Sequence, residues 1–307
     1  MEPDRMDERK IQDIIKLKKE KNALILVHNY QIPEVQDIAD FLGDSLDLSR
    51  KARDTDKDVI VFCGVRFMAE TAKILSPAKK VLLPSYQAGC PMADMVTSEA
   101  LRDFKAREPG WKIVCYVNTS ADVKAECDLC VTSANAVRVI RNYPYDRFLF
   151  VPDKNLGSYV KDQVKEKEIR LWDGYCHVHA RLALDEVKKA KKIRPEAQLL
   201  VHPECEPGIV QMADEVLSTN QMLKFVRESK AKEFLIATEE GILYRMQKEN
   251  PDKLFFPASR SLICPNMKQT RLSDVLNSLR YDQYEISLTE EIIRKAGIPL
   301  DEMLKYS

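Results

Sequence analysis

Apolar and polar positions along the chain follow a pattern that recurs. Three short runs, 23–30, 111–118 and 198–204, are apolar and β-branched and end in polar residues. Each reads as a buried strand. Their matching positions, His28, Tyr116 and His202, stand 88 and 86 residues apart, which points to an internal repeat. Other features keep the same offsets. Gly43-Asp44-Ser45, Val131-Thr132-Ser133 and Leu217-Ser218-Thr219 each open a predicted helix. Third strands are predicted at 59–63, 147–151 and 233–237, helices at 67–75, 155–164 and 241–249, and fourth strands at 80–84, 168–172 and 254–258. Each unit then runs into a cysteine, Cys90, Cys176 or Cys264, spaced 86 and 88. Helices are also predicted ahead of the units, at 7–21, 98–107 and 180–192.

Apolar strands alternating with helices predict parallel α/β units. The expected fold is three similar αβα-sandwich domains around a pseudo-threefold axis, with boundaries at 1–92, 93–178 and 179–266. Residues 267–307 read as a helical tail, with helices near 272–280 and 289–296, that packs back on a domain.

Charge narrows the function. Lysine plus arginine number 48, as do aspartate plus glutamate. A net charge of zero, without a basic aromatic stripe, argues against a nucleic-acid partner. No apolar stretch reaches the roughly 20 residues of a membrane span, and the polar start 1–5 lacks a following apolar segment. No membrane partner and a cytoplasmic location are therefore expected. There the eight cysteines are expected as thiols, metal ligands or catalytic groups rather than disulfides.

Ligands of open α/β sheets bind beyond the carboxyl ends of the strands, where the polar residues of the repeat lie. Three domains in a ring would supply a triplet at each level: His28, Tyr116, His202; Tyr30, Asn118, Glu204; Ser45, Ser133, Thr219; and Cys90, Cys176, Cys264. One thiol per domain at one repeat position points to a shared metal centre, either zinc with a water or three corners of a [4Fe–4S] cluster. A cluster so held leaves one iron free to act as a Lewis acid. Packing alone has no reason to choose cysteine at all three places. Cys127 and Cys130 form a C-x-x-C, as in a redox pair or half a zinc site, but without a second pair they read as structural or incidental. Cys63, Cys115 and Cys205 read as core thiols. Next to Cys176, His179 reads as a substrate contact and His177 as surface. Glu204 is the best acid/base candidate, with His28 and His202 at a predicted strand mouth. Ser45, Ser133 and Thr219 would serve as helix N-caps or, by the same geometry, as anion-binding groups.

These residues resemble the quinolinate synthase (NadA) family. The strings that carry the resemblance begin at His28, Gly43, Phe67, Cys90, Tyr116, Thr132, Pro152, Cys176, His202, Ser218 and Cys264, and span about 24–268. His177 departs from the small or apolar residue more usual after that cysteine. The resemblance implies three α/β domains and an oxygen-sensitive [4Fe–4S] cluster on Cys90, Cys176 and Cys264. It implies condensation of iminoaspartate with dihydroxyacetone phosphate to quinolinate, phosphate and water in NAD biosynthesis, with a functional link to an iminoaspartate-producing enzyme. Substrate contacts carried over are His28, Ser45, Tyr116, Asn118, Ser133, His202, Glu204 and Thr219, with Tyr30 aiding proton transfer. The competing readings are a small-molecule sensor with a labile cluster and a cluster-dependent hydro-lyase of another hydroxy acid. Neither a sensor nor a binder needs Glu204 and Tyr30.

Overall fold

Twelve strands form three separate sheets in the computed structural model, which describes residues 3–307. The first contains β1 (Ala23–His28), β2 (Phe41–Gly43), β3 (Val59–Cys63) and β4 (Lys80–Leu82). The second contains β5 (Lys112–Tyr116), β6 (Leu129–Val131), β7 (Arg147–Val151) and β8 (Glu168–Leu171). The third contains β9 (Gln198–Val201), β10 (Glu215–Val216), β11 (Glu233–Ala237) and β12 (Leu254–Pro257). Each sheet has its own first strand inside, paired with its second on one side and its third on the other, and the fourth strand follows the third. All of these pairings are parallel. Every residue of β1 and β3 is buried, as expected for strands covered by helices on both faces. The chain is thus three similar α/β domains.

The repeat extends to polar side chains that the apolar pattern does not reveal. Asp40 Oδ2 accepts from the Ile25 N–H at 2.8 Å, Asp128 Oδ2 from Ile113 at 2.9 Å and Asp214 Oδ2 from Leu199 at 2.7 Å. Each aspartate precedes the second strand and ties it to the first. Lysines at another common offset satisfy carbonyls at helix C-caps. Lys79 donates to Thr55 O, Lys167 to Tyr143 O at 2.7 Å and Lys253 to Ser229 O at 2.8 Å.

The last helices join the first two domains. Helix Leu272–Tyr281 lays Leu272, Val275, Leu276 and Leu279 against the first sheet's core, beside helix Pro3–Glu20. Helix Glu290–Tyr306 buries Ala296, Leu300 and Met303 in the second domain's core and also meets helix Arg66–Leu75. It runs ten residues past the predicted end at 296, through Gly297 and Pro299. Those residues disfavour helix locally, and the burial of Leu300 and Met303 overrides them. The helix expected at 180–192 starts instead at Leu184, after a single tight turn at His179–Arg181. Among the described residues no helix is long and apolar enough to cross a membrane.

Candidate active site

The carboxyl ends of the three sheets open into one cavity, lined by all thirteen residues singled out from the sequence. His28 ends β1, Tyr116 ends β5 and His202 follows β9. Two residues further on, Tyr30, Asn118 and Glu204 line the same cavity. Ser45, Ser133 and Thr219 reach it from the second strands, and Cys90, Cys176 and Cys264 from loops after the fourth strands. His179 lines it too, and so does His177, half-buried there rather than on the outer surface.

Capping and cavity hydroxyls turn out to be separate residues. Asp44 is the N-cap of helix Ser45–Asp54, its Oδ1 accepting from Leu46 and Asp47 N–H at 3.1 Å. Ser218 and Asn135 stand at the N-cap positions of helices Thr219–Glu228 and Ala136–Asn142. Ser45 and Thr219 are therefore first helical residues, and Ser133 sits in a turn, which corrects their reading as caps. Thr219 Oγ1 accepts from Asn29 Nδ2 at 3.3 Å, so its own hydroxyl hydrogen is available to the cavity. Asn118 Oδ1 is buried without a hydrogen-bond partner. Such an atom on a cavity wall marks a place where a ligand completes the bonding.

Two histidines are set in matching ways. The Tyr30 N–H donates to His28 Nδ1 at 3.2 Å, and the Glu204 N–H donates to His202 Nδ1 at 3.3 Å. With Nδ1 accepting, each neutral ring carries its proton on Nε2. Burial lowers both to about 3, against an opposing pull from Glu204. His28 and His202 are hence neutral donors at physiological pH. Among the described residues no lysine or arginine side chain lines the cavity. Anions there would meet neutral donors and the N-terminus of helix Thr219–Glu228, beside the Glu204 carboxylate.

A chain of polar contacts crosses the cavity wall through Thr238, a residue that no sequence pattern singles out. Tyr30 Oη lies 2.5 Å from Thr238 Oγ1, which lies 2.9 Å from His179 Nε2. His179 Nδ1 lies 2.7 Å from Glu204 Oε2. One proton arrangement suits the chain: Tyr30 donates to Thr238, Thr238 to Nε2, and the ring proton on Nδ1 faces the carboxylate at ion-pair distance. Burial pushes Glu204 up, but His179, His202 and the hydrogen-bonding Tyr116 hydroxyl outweigh it and hold the group at about 2. Burial and Glu204 together push the Tyr30 hydroxyl well up. Thr238 follows β11, where its repeat counterparts Gly64 and Pro152 lack a hydroxyl, so no triplet pointed to it.

The cysteines divide into two groups. Cys63, Cys115, Cys127, Cys130 and Cys205 are buried, and none of them lines the cavity. Cys90, Cys176 and Cys264 are partly exposed, free and face it. Cys115 and Cys130 are paired across β5 and β6, with sulfurs 3.7 Å apart. Three convergent thiols from three loops fit a cluster with one open corner. Cys176, His179 and Glu204 also hold donor atoms within 4.8 Å of one another. His179 Nε2 is engaged by Thr238, and its Nδ1 lies against Glu204, so the three groups of that set already contact one another or their neighbours.

Three parallel-sheet domains that pool hydroxyls, imidazoles, a carboxylate and free thiols in one cavity define an α/β enzyme with a thiol-lined centre. The sequence matches the family model described as quinolinate synthetase A protein over residues 12–305. It is 54% identical over 303 residues to the quinolinate synthase of Caldicellulosiruptor saccharolyticus, covering 98% of this chain and 100% of that protein. The quinolinate synthase of Alkaliphilus metalliredigens is 54% identical over 295 residues, covering 96% and 97%. That of Thermodesulfovibrio yellowstonii is 52% identical over 299 residues, covering 97% and 99%. The chain belongs to the quinolinate synthase family.

Proposed function

We propose that this enzyme condenses iminoaspartate with dihydroxyacetone phosphate to quinolinate, inorganic phosphate and water, in the cytoplasm and in the service of NAD biosynthesis. Iminoaspartate would come from an enzyme that produces it. A [4Fe–4S] cluster would be held by Cys90, Cys176 and Cys264. When bound, its iron without a cysteine supplies Lewis acidity for the dehydration chemistry. No net electron transfer is needed.

The observation that carries this reading is the convergence of the thiol triplet and the Tyr30–Thr238–His179–Glu204 chain on one cavity. The reaction requires phosphate loss, keto–aldo isomerisation, ring closure and dehydration, all of which move protons between carbon, nitrogen and oxygen. As the Tyr30 oxygen takes a proton from substrate carbon, its own hydrogen passes to Thr238 and that of Thr238 to His179 Nε2. The imidazolium formed there is stabilised by Glu204, the same order of carboxylate, imidazole and hydroxyl used in hydrolase triads. Glu204 acts through His179 rather than as the first proton acceptor, because a group held near 2 is a weak base at neutral pH. His28 and His202, fixed as Nε2–H donors, bind substrate oxygens instead of shuttling protons. Ser45, Ser133, Thr219, Tyr116 and Asn118 hold carboxylate and phosphate oxygens.

Quinolinate formation from the two precursors by anaerobically reconstituted protein tests the reading. A sensor or binder saturates with these compounds and forms no product.

A further inference from the structure

We propose that Asp153 and Glu239 are positioning residues that hold the cysteine loops of the second and third domains in shape for the cluster; the inference rests on Cys176 and Cys264 being ligands. Both carboxylates follow the third strand of their domain and are fully buried. Asp153 Oδ1 accepts from Asn155 and Leu156 N–H at 2.8 and 2.9 Å, which is an ordinary helix cap. Its other oxygen does something a cap does not need: Oδ2 accepts from the Cys176 N–H at 3.0 Å. Glu239 repeats the arrangement. Its Oε1 accepts from the Cys264 N–H at 3.0 Å and its Oε2 from the Gly241 N–H at 2.8 Å. Lys268 Nζ sits 2.9 Å from Oε1 and also donates to Tyr30 O at 2.6 Å.

The repeat supplies an internal comparison. A main-chain tether to the cysteine loop is common to all three domains. Arg66 N–H donates to Ala88 O, Lys154 to Gly174 O and Glu240 to Leu262 O, each at 2.8 Å. The carboxylate latch is an addition made in two domains, since the matching residue of the first is Val65. The Cys90 loop is tied instead by Asn266 Nδ2, which donates to Gly89 O at 2.9 Å. Asn266 belongs to the Cys264 loop, so Glu239 steadies two of the three thiol-bearing segments. A buried carboxylate beside thiolates is electrostatically unfavourable, and the bonds to the two cysteine N–H groups explain its place. Groups that orient metal ligands in this way typically contribute 10–100-fold in metal affinity.

The test is the rate at which cluster-loaded protein yields iron to a chelator, read from the loss of visible absorbance, with the thermal midpoint measured alongside. In Asp153→Asn and Glu239→Gln an amide can place a donor against the cysteine N–H while keeping the side-chain volume. Both variants are expected to load iron and sulfide and then to lose them about 10–100-fold faster than wild type. Asp128→Asn removes the carboxylate from a similar bond at the far end of a sheet, Ile113 N–H to Oδ2. It is expected to lower the thermal midpoint with the wild-type release rate. Release at the wild-type rate from both latch variants overturns the proposal. So does equally fast release from Asp128→Asn, which would mean general loosening, and the second latch variant decides if the first does not fold. Wild-type protein that takes up no iron and sulfide defeats the cluster reading itself, a result separate from either.

Discussion

At the scale of single residues, the proposed relay turns on where protons sit. Glu204→Gln leaves His179 without its anionic partner, and Thr238→Val cuts the link to Tyr30 at nearly constant volume. Each is expected to lower kcat about 10²–10⁴-fold while the iron and sulfide content stays at the wild-type level. Turnover within threefold of wild type in Thr238→Val would break the relay. The neutral histidines give a pH signature. In the unfolded chain His28 and His202 take up protons near 6.5, but in the folded chain only near 3. Between these values the unfolded state binds more protons, so stability falls as pH drops through the window. The thermal midpoint of the metal-free protein is expected to fall less steeply from pH 7 to pH 4 in the His28→Asn/His202→Asn double variant. An unchanged slope would contradict buried neutral rings. Most of these residues were legible because the repeat puts them in triplets. Thr238 was not, since a hydrogen-bond chain assembled from 30, 179, 204 and 238 has no spacing signature.

At the scale of elements, strands buried on both faces announced themselves as continuous apolar runs, and the third strands match their predicted bounds. The second strands did not, because β2, β6 and β10 are only two or three residues long and such lengths carry no periodicity. The final helix was cut short in the sequence reading because local propensity stops at Gly297, whereas tertiary burial continues to Met303. Leu300→Ala is expected to lower unfolding stability by about 2–5 kcal/mol in urea titration; a loss under about 0.5 kcal/mol would mean that this helix is not part of the second domain's core. Two glycines should separate cleanly. A Cβ on Gly174 would meet Pro152 O at 2.4 Å, while one on Gly297 finds nothing nearer than Ile74 at 3.9 Å. Gly174→Ala is expected to displace the Cys176 loop and reduce iron content. Gly297→Ala is expected to stabilise the helix by up to about 1 kcal/mol.

At the scale of the whole molecule, three domains with the same strand order bring one cysteine each to a cavity that no single domain could close. The five buried thiols, including the Cys127–Cys130 pair, make up most of the cysteines, yet none of them faces that cavity. The arrangement also surrounds the Glu204 carboxylate with neutral donors that come from more than one domain. The most direct measurement is the iron and acid-labile sulfide content of anaerobically reconstituted protein, taken for wild type, for Cys90→Ala, Cys176→Ala and Cys264→Ala, and for the Cys127→Ala/Cys130→Ala double variant. About four iron and four sulfide per chain are expected in wild type and in the double variant, with loss of the cluster in each of the three single variants. Zinc without sulfide in wild type, or a cluster that survives Cys264→Ala and disappears from the double variant, would contradict the account.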